Sequence, residues 1–387
     1  MSLLLTADLA LPERDRLLDP ARVRLPIEAS SIEVVRCKYR VGESLRVLYR
    51  VATADGERLI TVRASAGLAP RWWTFPDDRR LPNIAELMAP ADDVVALVAG
   101  RSWTHSEVAE YAPERSLTVR AVDADGRAVA YVKHLPPGAR DIDALAERYD
   151  HVCRALRVVG GVGAPRSLGR SAELGLVALA PVPGVRWTDL PAGHLPATAE
   201  LMGRAIAALH GVPAPAGTPT FERLAPARLR RSAAVLAAAR PDVAGEVGLV
   251  VDRLIASIPA DEPVLLHGDC HPKNVIVDGD RLALIDLDQA GTGAAAADTG
   301  SLRARLRVAT IIGGSGAGDE ATLVDAFAAG YAAERGRPTT RSDDWHTAAA
   351  LVAEQAVRAV NRLRPDVLAH LPEIVDAAHS LVPGRST

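Results

Sequence analysis

Apolar and polar positions alternate in two segments of the chain that resemble each other. They are YRVGESLRVLYRVATADGERLITVR at 39–63 and YAPERSLTVRAVDADGRAVAYVK at 111–133. Alternation on both sides of an Asp-Gly pair is typical of a β-hairpin. The pattern therefore predicts two hairpins, each contributing to an antiparallel sheet.

The segments that follow these two hairpins differ. After Lys133 and a Pro-Pro-Gly turn at 136–138, apolar residues recur at helical spacing. They are Ile142, Leu145, Ala146, Tyr149, Val152, Cys153 and Leu156. After Arg63, Pro and Gly interruptions prevent a comparable helix directly behind the strand. The first hairpin is therefore predicted to belong to an accessory unit.

The second half of the chain is mainly helical in pattern. A buried strand, GLVALAPVPG, ends in a Pro-Gly connector at Gly184, and helical segments begin near Pro196. They are TAELMGRAIAALH, ARLRRSAAVLAAAR, EVGLVVDRLIASI, ATLVDAFAAGYAAER and SDDWHTAAALVAEQAVRAVNRL. One interruption at 263–288 has apolar runs around Asp278 and Gly279, which predicts a third hairpin. The order of elements predicts an α+β fold.

Composition and charge exclude several classes of protein. With 387 residues, 48% of them hydrophobic, the chain is long enough for two or three structural units. The net charge is -3, and basic and acidic residues alternate along the chain, so no nucleic-acid partner is predicted. No stretch reaches the ~18 apolar residues of a membrane span, and no basic leader indicates a signal peptide. The sequence does not indicate an oligomeric state.

The cysteines predict the compartment. Cys37, Cys153 and Cys270 are odd in number, far apart and without CxxC spacing. Neither a disulfide framework nor a zinc site follows from them. A cytoplasmic protein is therefore expected.

Polar residues flank the third hairpin at its open end. Asn274 precedes the first strand and Asp286 follows the second, so pairing through the turn brings them together. An amide and a carboxylate suit Mg²⁺, which takes a few hard oxygen ligands besides water and substrate phosphates. Asp269 lies on the loop that enters the hairpin, where phosphoryl transfer needs a carboxylate beside metal-bound phosphates.

The motifs HGDCHPKN at 267–274 and IDLD at 285–288 resemble those of the aminoglycoside phosphotransferase and choline kinase family. ALHGVP at 208–213, LAPVPG at 179–184 and DAFAAGY at 325–331 support the resemblance. It implies a two-lobed, protein-kinase-like fold with a β-rich N-lobe and a helical C-lobe. It also implies transfer of the γ-phosphate of ATP, or of GTP, to a hydroxyl with Mg²⁺.

The resemblance assigns roles to matching residues. Asp269 is similar to the catalytic base that orients the acceptor hydroxyl and takes its proton, and Asn274 and Asp286 to the metal ligands. Lys133 is similar to the strand lysine that holds the α- and β-phosphates. Hinge backbone groups at Ala180 and Val182 are expected to contact adenine.

Two departures from the family pattern concern supporting residues. The lysine's acidic helix partner is not identified, because the apolar stripe faces away from Glu147 and only partly toward Asp150. Asp298-Thr299-Gly300 stands where relatives commonly have Asp-Leu-Ala, and Asp298 is expected to brace the catalytic loop.

Several residues near the motifs have simpler interpretations. His267 is expected to be a hydrogen-bonded structural histidine, and Cys270 with His271 lacks further ligands at zinc spacing. Asp286, taken alone, could be a solvated strand end, and a role for Asp288 at the metal or beside it is left open. Arg63, which occupies in the first hairpin the place of Lys133 in the second, is expected to be a solvated strand end.

The domain prediction is a leader at 1–34, an accessory cap at 35–108, a nucleotide-binding N-lobe with hinge at 109–182 and a C-lobe at 183–387. By resemblance, maltokinase-like relatives carry such a cap, which is expected to restrict access to the acceptor. Trp72, Trp73 and Phe75 are expected to pack between units.

The acceptor is the least determined part of the prediction. A small-molecule hydroxyl on a sugar, amino sugar or aminoglycoside-like compound is expected. Asp343, Asp344, Trp345 and Glu354 could serve a cationic amino sugar. A choline-like or natural-product acceptor, and a regulatory pseudokinase without transfer activity, are the alternatives.

Overall fold

The computed structural model describes residues 4–90, 92–98, 100–157, 160–313, 320–336 and 340–382. After a short helix α1 (Arg14–Leu17), four strands form an antiparallel meander. These are β1 (Ser31–Arg40), β2 (Ser44–Thr53), β3 (Gly56–Ser65) and β4 (Leu68–Thr74). Thr53 pairs with Gly56 across the Asp55-Gly56 turn, which confirms the first predicted hairpin. We call this sheet the cap sheet.

A second sheet follows the short helices α2 (Ile84–Met88) and α3 (Asp92–Val95). Its first strands, β5 (His105–Ala112), β6 (Ser116–Val122) and β7 (Ala128–His134), contain the second predicted hairpin. Helix α4 (Ile142–Leu156) then buries the predicted apolar stripe. The chain continues with β8 (Val162–Gly163), β9 (Ser167–Ser171), β10 (Leu176–Leu179) and β11 (Val185–Arg186). The strand order is β5-β6-β7-β10-β9.

The rest of the chain is helical apart from four short strands. Two of these strands form the third predicted hairpin, because Asp278 pairs with Arg281 across Gly279. The strands are β12 (Pro263–Leu266), β13 (Val275–Asp278), β14 (Arg281–Leu284) and β15 (Gly291–Ala294). The helices are α5 (Leu195–His210), α6 (Pro226–Ala239), α7 (Ala244–Ala256), α8 (Ala296–Ile311), α9 (Glu320–Glu334), α10 (Thr340–Ala350), α11 (Val357–Arg362), α12 (Pro365–Leu368) and α13 (Leu371–Leu381).

A π-helical segment, Leu351–Ala356, joins α10 to α11. The sequence predicts one helix across this region, and the structure shows it with this local widening. The wider turn is often found where a helix contributes to a functional site. Among the described residues, no helix combines the length and apolar character that a membrane span requires.

The apolar core joins the cap sheet to the C-terminal helices. One continuous cluster contains Val47 and Val62 from the cap sheet, Leu229 from α6, and Val360 from α11. The leader joins it through the buried Leu17, whose carbonyl oxygen accepts a 2.5 Å hydrogen bond from the hydroxyl of Tyr49. The cap sheet is therefore packed on the helical region.

A buried carboxylate attaches the cap sheet to the second sheet. Glu114 lies in the β5–β6 turn with a positive φ of 58°, and its side chain is fully buried. It accepts hydrogen bonds from Arg46 at 2.5 Å, Arg63 at 2.8 Å and Arg71 at 2.9 Å, and Arg79 lies 3.4 Å away. The prediction that Arg63 is a solvated strand end is therefore wrong, because Arg63 forms this inter-sheet ion pair.

Of the three aromatic residues predicted to pack between units, Trp73 and Phe75 do so, whereas Trp72 packs inside the cap sheet. Trp72 stacks on Tyr49 within the cap sheet at 6.1 Å. Phe75 contacts the ring of Tyr111 edge-on at 5.1 Å, and Trp73 donates to the Tyr111 hydroxyl at 3.4 Å. These contacts bring the cap sheet against β5.

Replacing Glu114 with Gln should destabilise the protein. Burial alone would raise the pKa of Glu114, but the charges of Arg46 and Arg63 hold it below its usual value, so the carboxylate is ionised. Removing one partner of a buried ion pair costs about 3–5 kcal/mol. We expect a clear fall in melting temperature, measured by circular dichroism. Glu107→Gln, which removes an exposed pair with Arg120, is the matched control and should change little. Equal melting temperatures for the two variants would contradict the assignment.

His134 should make stability depend on pH. It is fully buried in β7, and its ring nitrogens have no hydrogen-bond partner among the described residues. Burial lowers its pKa to about 4, whereas an unfolded histidine titrates near ~6.5. The unfolded state therefore binds more protons between these values, and the free energy of unfolding should fall by about 2 kcal/mol as pH decreases from 6.5 to 4.5.

Substituting His134 with Leu removes this titration and tests the effect. Urea unfolding at a series of pH values should show a shallower loss of stability for His134→Leu than for the native chain. The exposed His105, replaced in the same way, is the control. The same slope in all three proteins would contradict the prediction.

Candidate active site

The third hairpin brings its two flanking residues together. Val275 pairs with Leu284, and the amide of Ile285 donates to the carbonyl oxygen of Asn274 at 2.9 Å. Asp286 comes directly after, in a left-handed conformation with φ 62°. Asn274 and Asp286 therefore lie at the same open end of the hairpin.

Asn274 also reaches the loop that carries Asp269. Its amide nitrogen donates to the carbonyl oxygen of Asp269 at 3.1 Å. That hydrogen bond occupies the nitrogen, which leaves the amide oxygen of Asn274 as its possible ligand atom. The structure thus brings together the three residues predicted from the motifs.

Asp298 fixes the turn before Asp269. Its buried carboxylate accepts from the amides of His267 at 2.7 Å and Gly268 at 2.9 Å, and pairs with the ring of His210 at 3.2 Å. Gly268 has φ 74°, and a Cβ atom there would lie 2.1 Å from the carbonyl oxygen of Gln289. The prediction that Asp298 braces the catalytic loop is confirmed.

The histidines of the motif have structural contacts. His267 Nε2 lies 3.0 Å from the carbonyl oxygen of Ile285, which ties the loop to the hairpin as expected for a hydrogen-bonded histidine. His271 Nδ1 accepts from the amide of Lys273 at 3.1 Å, and its Nε2 lies 3.5 Å from Asp269. Both rings help to shape the loop.

Asp269 is surrounded by positive charge. Its Oδ1 lies 3.4 Å from Arg223, 3.7 Å from Arg358 and 3.9 Å from Arg305. Burial opposes ionisation, but the hydrogen bond from His271 and the charges of Arg223 and Arg358 hold the pKa of Asp269 well below its usual value. Asp269 is therefore a carboxylate at any physiological pH.

Lys133 faces carboxylates of the IDLD motif. Its Nζ lies 2.6 Å from Asp286 Oδ1, 2.7 Å from Asp288 Oδ1 and 3.2 Å from the hydroxyl of Tyr149. Burial alone would lower the pKa of Lys133, but the charges of Asp288 and Asp286 hold it above its usual value. Lys133 is therefore a cation beside the hairpin mouth.

The helix partner of Lys133 is a tyrosine. Tyr149 on α4 donates to Asp288 Oδ1 at 2.9 Å and accepts from the amide of Leu287 at 3.0 Å. Glu147 instead pairs with Arg170, and Asp150 accepts from the amide of Ser167. The open question about the lysine's partner is thus answered by Tyr149 and by Asp288, which is largely buried.

The predicted hinge follows β10. Ala180 and Val182 lie directly beyond its last residue, Leu179. The amide of Ala180 donates to the carbonyl oxygen of Arg166 at 2.9 Å. Because the amide of Ala180 is already engaged, a hydrogen bond between Ala180 and adenine would use the carbonyl oxygen of Ala180.

The acidic residues proposed for a cationic acceptor are engaged elsewhere. Asp343 accepts from Thr299 at 2.6 Å, and Asp344 pairs with Arg303 at 3.2 Å. Trp345 is buried and donates to the carbonyl oxygen of Leu254. The fourth residue, Glu354, lies near the site. It is 3.6 Å from Arg223, which in turn contacts Asp269.

Comparison with known proteins places this site in a family. The profile of the APH phosphotransferase enzyme family matches residues 107–351. The chain belongs to this family. The match begins in β5 and includes Lys133, the HGDCHPKN and IDLD motifs, and Asp298. The predicted enzyme class is confirmed.

Solved structures show the same fold as this phosphotransferase. A choline/ethanolamine kinase family protein from Mesorhizobium loti has 17% identity and a TM-score of 0.50, over 78% of this chain and 94% of that one. Aminoglycoside phosphotransferase APH(4)-Ia has 18% identity and a TM-score of 0.51, over 73% and 95%. Amicoumacin kinase hAmiN, solved with AMP-PNP and Ca²⁺, has 13% identity and a TM-score of 0.53, over 75% and 92%. No curated protein matches this chain significantly in sequence.

Sequence reasoning missed the three arginines of this phosphotransferase site. Arg223 precedes α6, Arg305 lies on α8 and Arg358 on α11. No motif contains them, and each is one arginine among many. Only the packing of the three elements around the catalytic loop reveals them.

Asp298→Asn should destabilise the phosphotransferase. Asn has one oxygen where Asp298 has two, so it cannot accept from both loop amides as the carboxylate does. The loss of a hydrogen bond to a buried charged group costs about 1.5–3 kcal/mol. We expect a lower melting temperature by differential scanning calorimetry. The exposed Asp325→Asn on α9 is the control and should behave like the native chain. A native melting temperature for Asp298→Asn would contradict the role assigned here.

Proposed function

We propose that this phosphotransferase moves the γ-phosphate of ATP onto a hydroxyl of a small molecule and depends on Mg²⁺. The observation that supports this most is the convergence of Asp269, Asn274, Asp286 and Lys133 at one hairpin mouth. Phosphoryl transfer needs positioning and charge neutralisation more than covalent chemistry. These four residues provide both.

The residues at the hairpin mouth fit a magnesium ion. The amide oxygen of Asn274 and the carboxylate of Asp286 are hard oxygen ligands, and a site with few protein ligands suits Mg²⁺, which keeps water and phosphate oxygens. Such an ion would neutralise charge on the transferred phosphate. Lys133 would hold the other phosphates, because it is a buried cation directly beside Asp286.

Asp269 would position the acceptor. In the transfer, the acceptor oxygen forms a bond to the γ-phosphorus, the bond from that phosphorus to the bridging oxygen breaks, and ADP leaves. The hydroxyl proton passes to Asp269. Its low pKa makes it a weak base, so we assign it mainly to orienting the hydroxyl, which suits a loose transition state.

The identity of the nucleotide and the class of acceptor are further parts of the proposal. ATP is the proposed donor, and GTP remains compatible because the hinge at Ala180 and Val182 would use backbone groups. For the acceptor we propose a sugar or a related hydroxylated compound, including amino sugars and aminoglycoside-like compounds. The charges around Asp269 narrow the class of acceptor further.

We propose that the cap sheet limits access to the acceptor site. Contacts of the cap sheet with the rest of the protein support this proposal. Arg36 of β1 donates a hydrogen bond to Glu110 of β5 at 2.7 Å, and the cap sheet shares its core with α6 and α11. Deleting residues 1–108 would expose that core, so truncation would not separate access from folding. The variant Arg36→Ala leaves the shared core in place. Measuring its kcat/KM for acceptors of increasing size therefore separates an effect on access from an effect on folding.

Asp269→Asn should abolish phosphoryl transfer while nucleotide binding persists. Loss of an acid or base group typically costs about 10²–10⁴ in rate. We expect ADP release in the presence of Mg²⁺ and an acceptor panel to fall about 100-fold or more, with thermal stabilisation by Mg²⁺ and ATP retained. Asp280→Asn, in the exposed hairpin turn, is the control.

Two outcomes would contradict the proposed function. If Asp269→Asn released ADP as fast as the native protein, Asp269 would not be the catalytic group. If ATP only stabilised the native protein and no acceptor or water yielded ADP, the chain would be a regulatory pseudokinase.

A further inference from the structure

Three guanidinium groups converge on one oxygen of Asp269. Arg223, Arg305 and Arg358 come from three separate elements and lie 3.4–3.9 Å from Oδ1. Arg223 also donates to the carbonyl oxygen of Gly268, which fixes its position on the catalytic loop. The other two arginines lie at longer distances, and their contacts with Asp269 are ion pairs rather than hydrogen bonds.

The described carboxylates at this place do not balance the arginines. Besides Asp269, Glu354 lies 3.6 Å from Arg223, and its other oxygen accepts from Ser301 at 2.6 Å. Three guanidinium groups therefore lie near two carboxylates, and the third carboxylate whose charge reaches Arg223, Asp298, is already paired with His210. Unbalanced charge in a partly buried site is costly.

Arg305 has donors without partners. Its Nε and Nη2 are buried and have no hydrogen-bond partner among the described residues. Burial, together with the charge of Arg358, lowers the pKa of Arg305 to about 10. A buried donor left unpaired costs about 1–3 kcal/mol, so an acceptor atom from a ligand would be stabilising here.

Positive charge extends from Asp269 toward the cap sheet. One helical turn after Arg358, Arg362 lines a pocket with Arg36, Lys38 and Arg115. Burial and the charges of Arg362 and Arg115 lower the pKa of Lys38 to about 8. A second group of basic residues, at the edge of the cap sheet, therefore lies one helical turn from Arg358.

We propose that the acceptor carries an anionic group, a carboxylate or a phosphate, that binds Arg305 and Arg358 while its hydroxyl meets Asp269. This deepens the proposed function and rests on it. Guanidinium groups bind carboxylates and phosphates through paired, charge-assisted hydrogen bonds. A cationic amino sugar would meet like charge at this place, which disfavours it.

The position of the arginines favours the acceptor over the nucleotide. They surround Asp269, the residue assigned to the acceptor hydroxyl. Lys133, the residue assigned to the nucleotide phosphates, contacts Asp286 and Asp288 instead. A role for Arg305 in binding the γ-phosphate would affect reaction with every acceptor equally, including water.

The test compares four acceptors that share a hexose ring and differ in charge. Glucose, glucosamine, glucuronate and glucose 6-phosphate are compared by ADP release with Mg²⁺ and ATP, and product mass confirms phosphate gain. We expect glucuronate or glucose 6-phosphate to give the highest kcat/KM, and the better of these two identifies the anion as carboxylate or phosphate. Arg305→Gln should lower that value about 10- to 100-fold, corresponding to a lost charge-assisted hydrogen bond. The loss with glucose and with water should be smaller, because neither acceptor carries an anionic group that binds Arg305.

Arg307→Gln is the matched control, because Arg307 lies on the same helix and pairs with the distant Glu320. Arg358→Gln provides a second variant if Arg305→Gln fails to fold, as judged by its melting temperature. Higher kcat/KM for glucose or glucosamine than for both anions would overturn the anionic acceptor, and so would failure of all four compounds to increase ADP release above water. Equal losses with all acceptors and water would assign Arg305 to the γ-phosphate. In these cases Asp269-dependent ADP release would still support the proposed function, whereas its absence would refute both.

Discussion

The buried carboxylate of Asp298 is the interaction on which the active site depends. It accepts from two consecutive loop amides and pairs with His210, whose other ring nitrogen lies 2.8 Å from the Tyr331 hydroxyl. Burial opposes its charge, but His210 and the loop amide of His267 hold the pKa of Asp298 below its usual value. A single ionised group thus connects α5, α8 and α9 to the catalytic turn, and Asp269 takes its direction from that turn.

A second buried carboxylate, Glu114, has the corresponding role between the sheets. Its four arginine neighbours come from the cap sheet and from Arg79 just beyond it, whereas Glu114 itself lies in the β5–β6 turn. Because the cap sheet also shares a core with α6 and α11, it connects the second sheet to the helical region.

The sequence predicted the parts of the fold that local pattern determines. The three hairpins, the stripe of α4 and the convergence of Asn274 with Asp286 follow from alternation, helical spacing and one turn. Tyr149, Arg63 and the three arginines around Asp269 could not be identified in this way. Their roles come from contacts between residues up to 139 positions apart, as the hydrogen bond from Tyr149 to Asp288 shows. No periodicity encodes which distant charge will face another.

The charges around Asp269 constrain how this phosphotransferase can work. A carboxylate whose pKa is held far below neutrality by Arg223 and Arg358 accepts a proton reluctantly. If Asp269 meets the acceptor hydroxyl as proposed, it would contribute by orienting the hydroxyl rather than by deprotonating it early. In the proposed reaction, the same arginines that lower the basicity of Asp269 would attract an anionic group of the acceptor. The excess of guanidinium groups beside Asp269 would therefore have two effects. It would attract an anionic substrate, and it would suppress early proton transfer to Asp269. A cleft built in this way favours a reaction in which the phosphoryl group departs from ADP before the new bond is well formed.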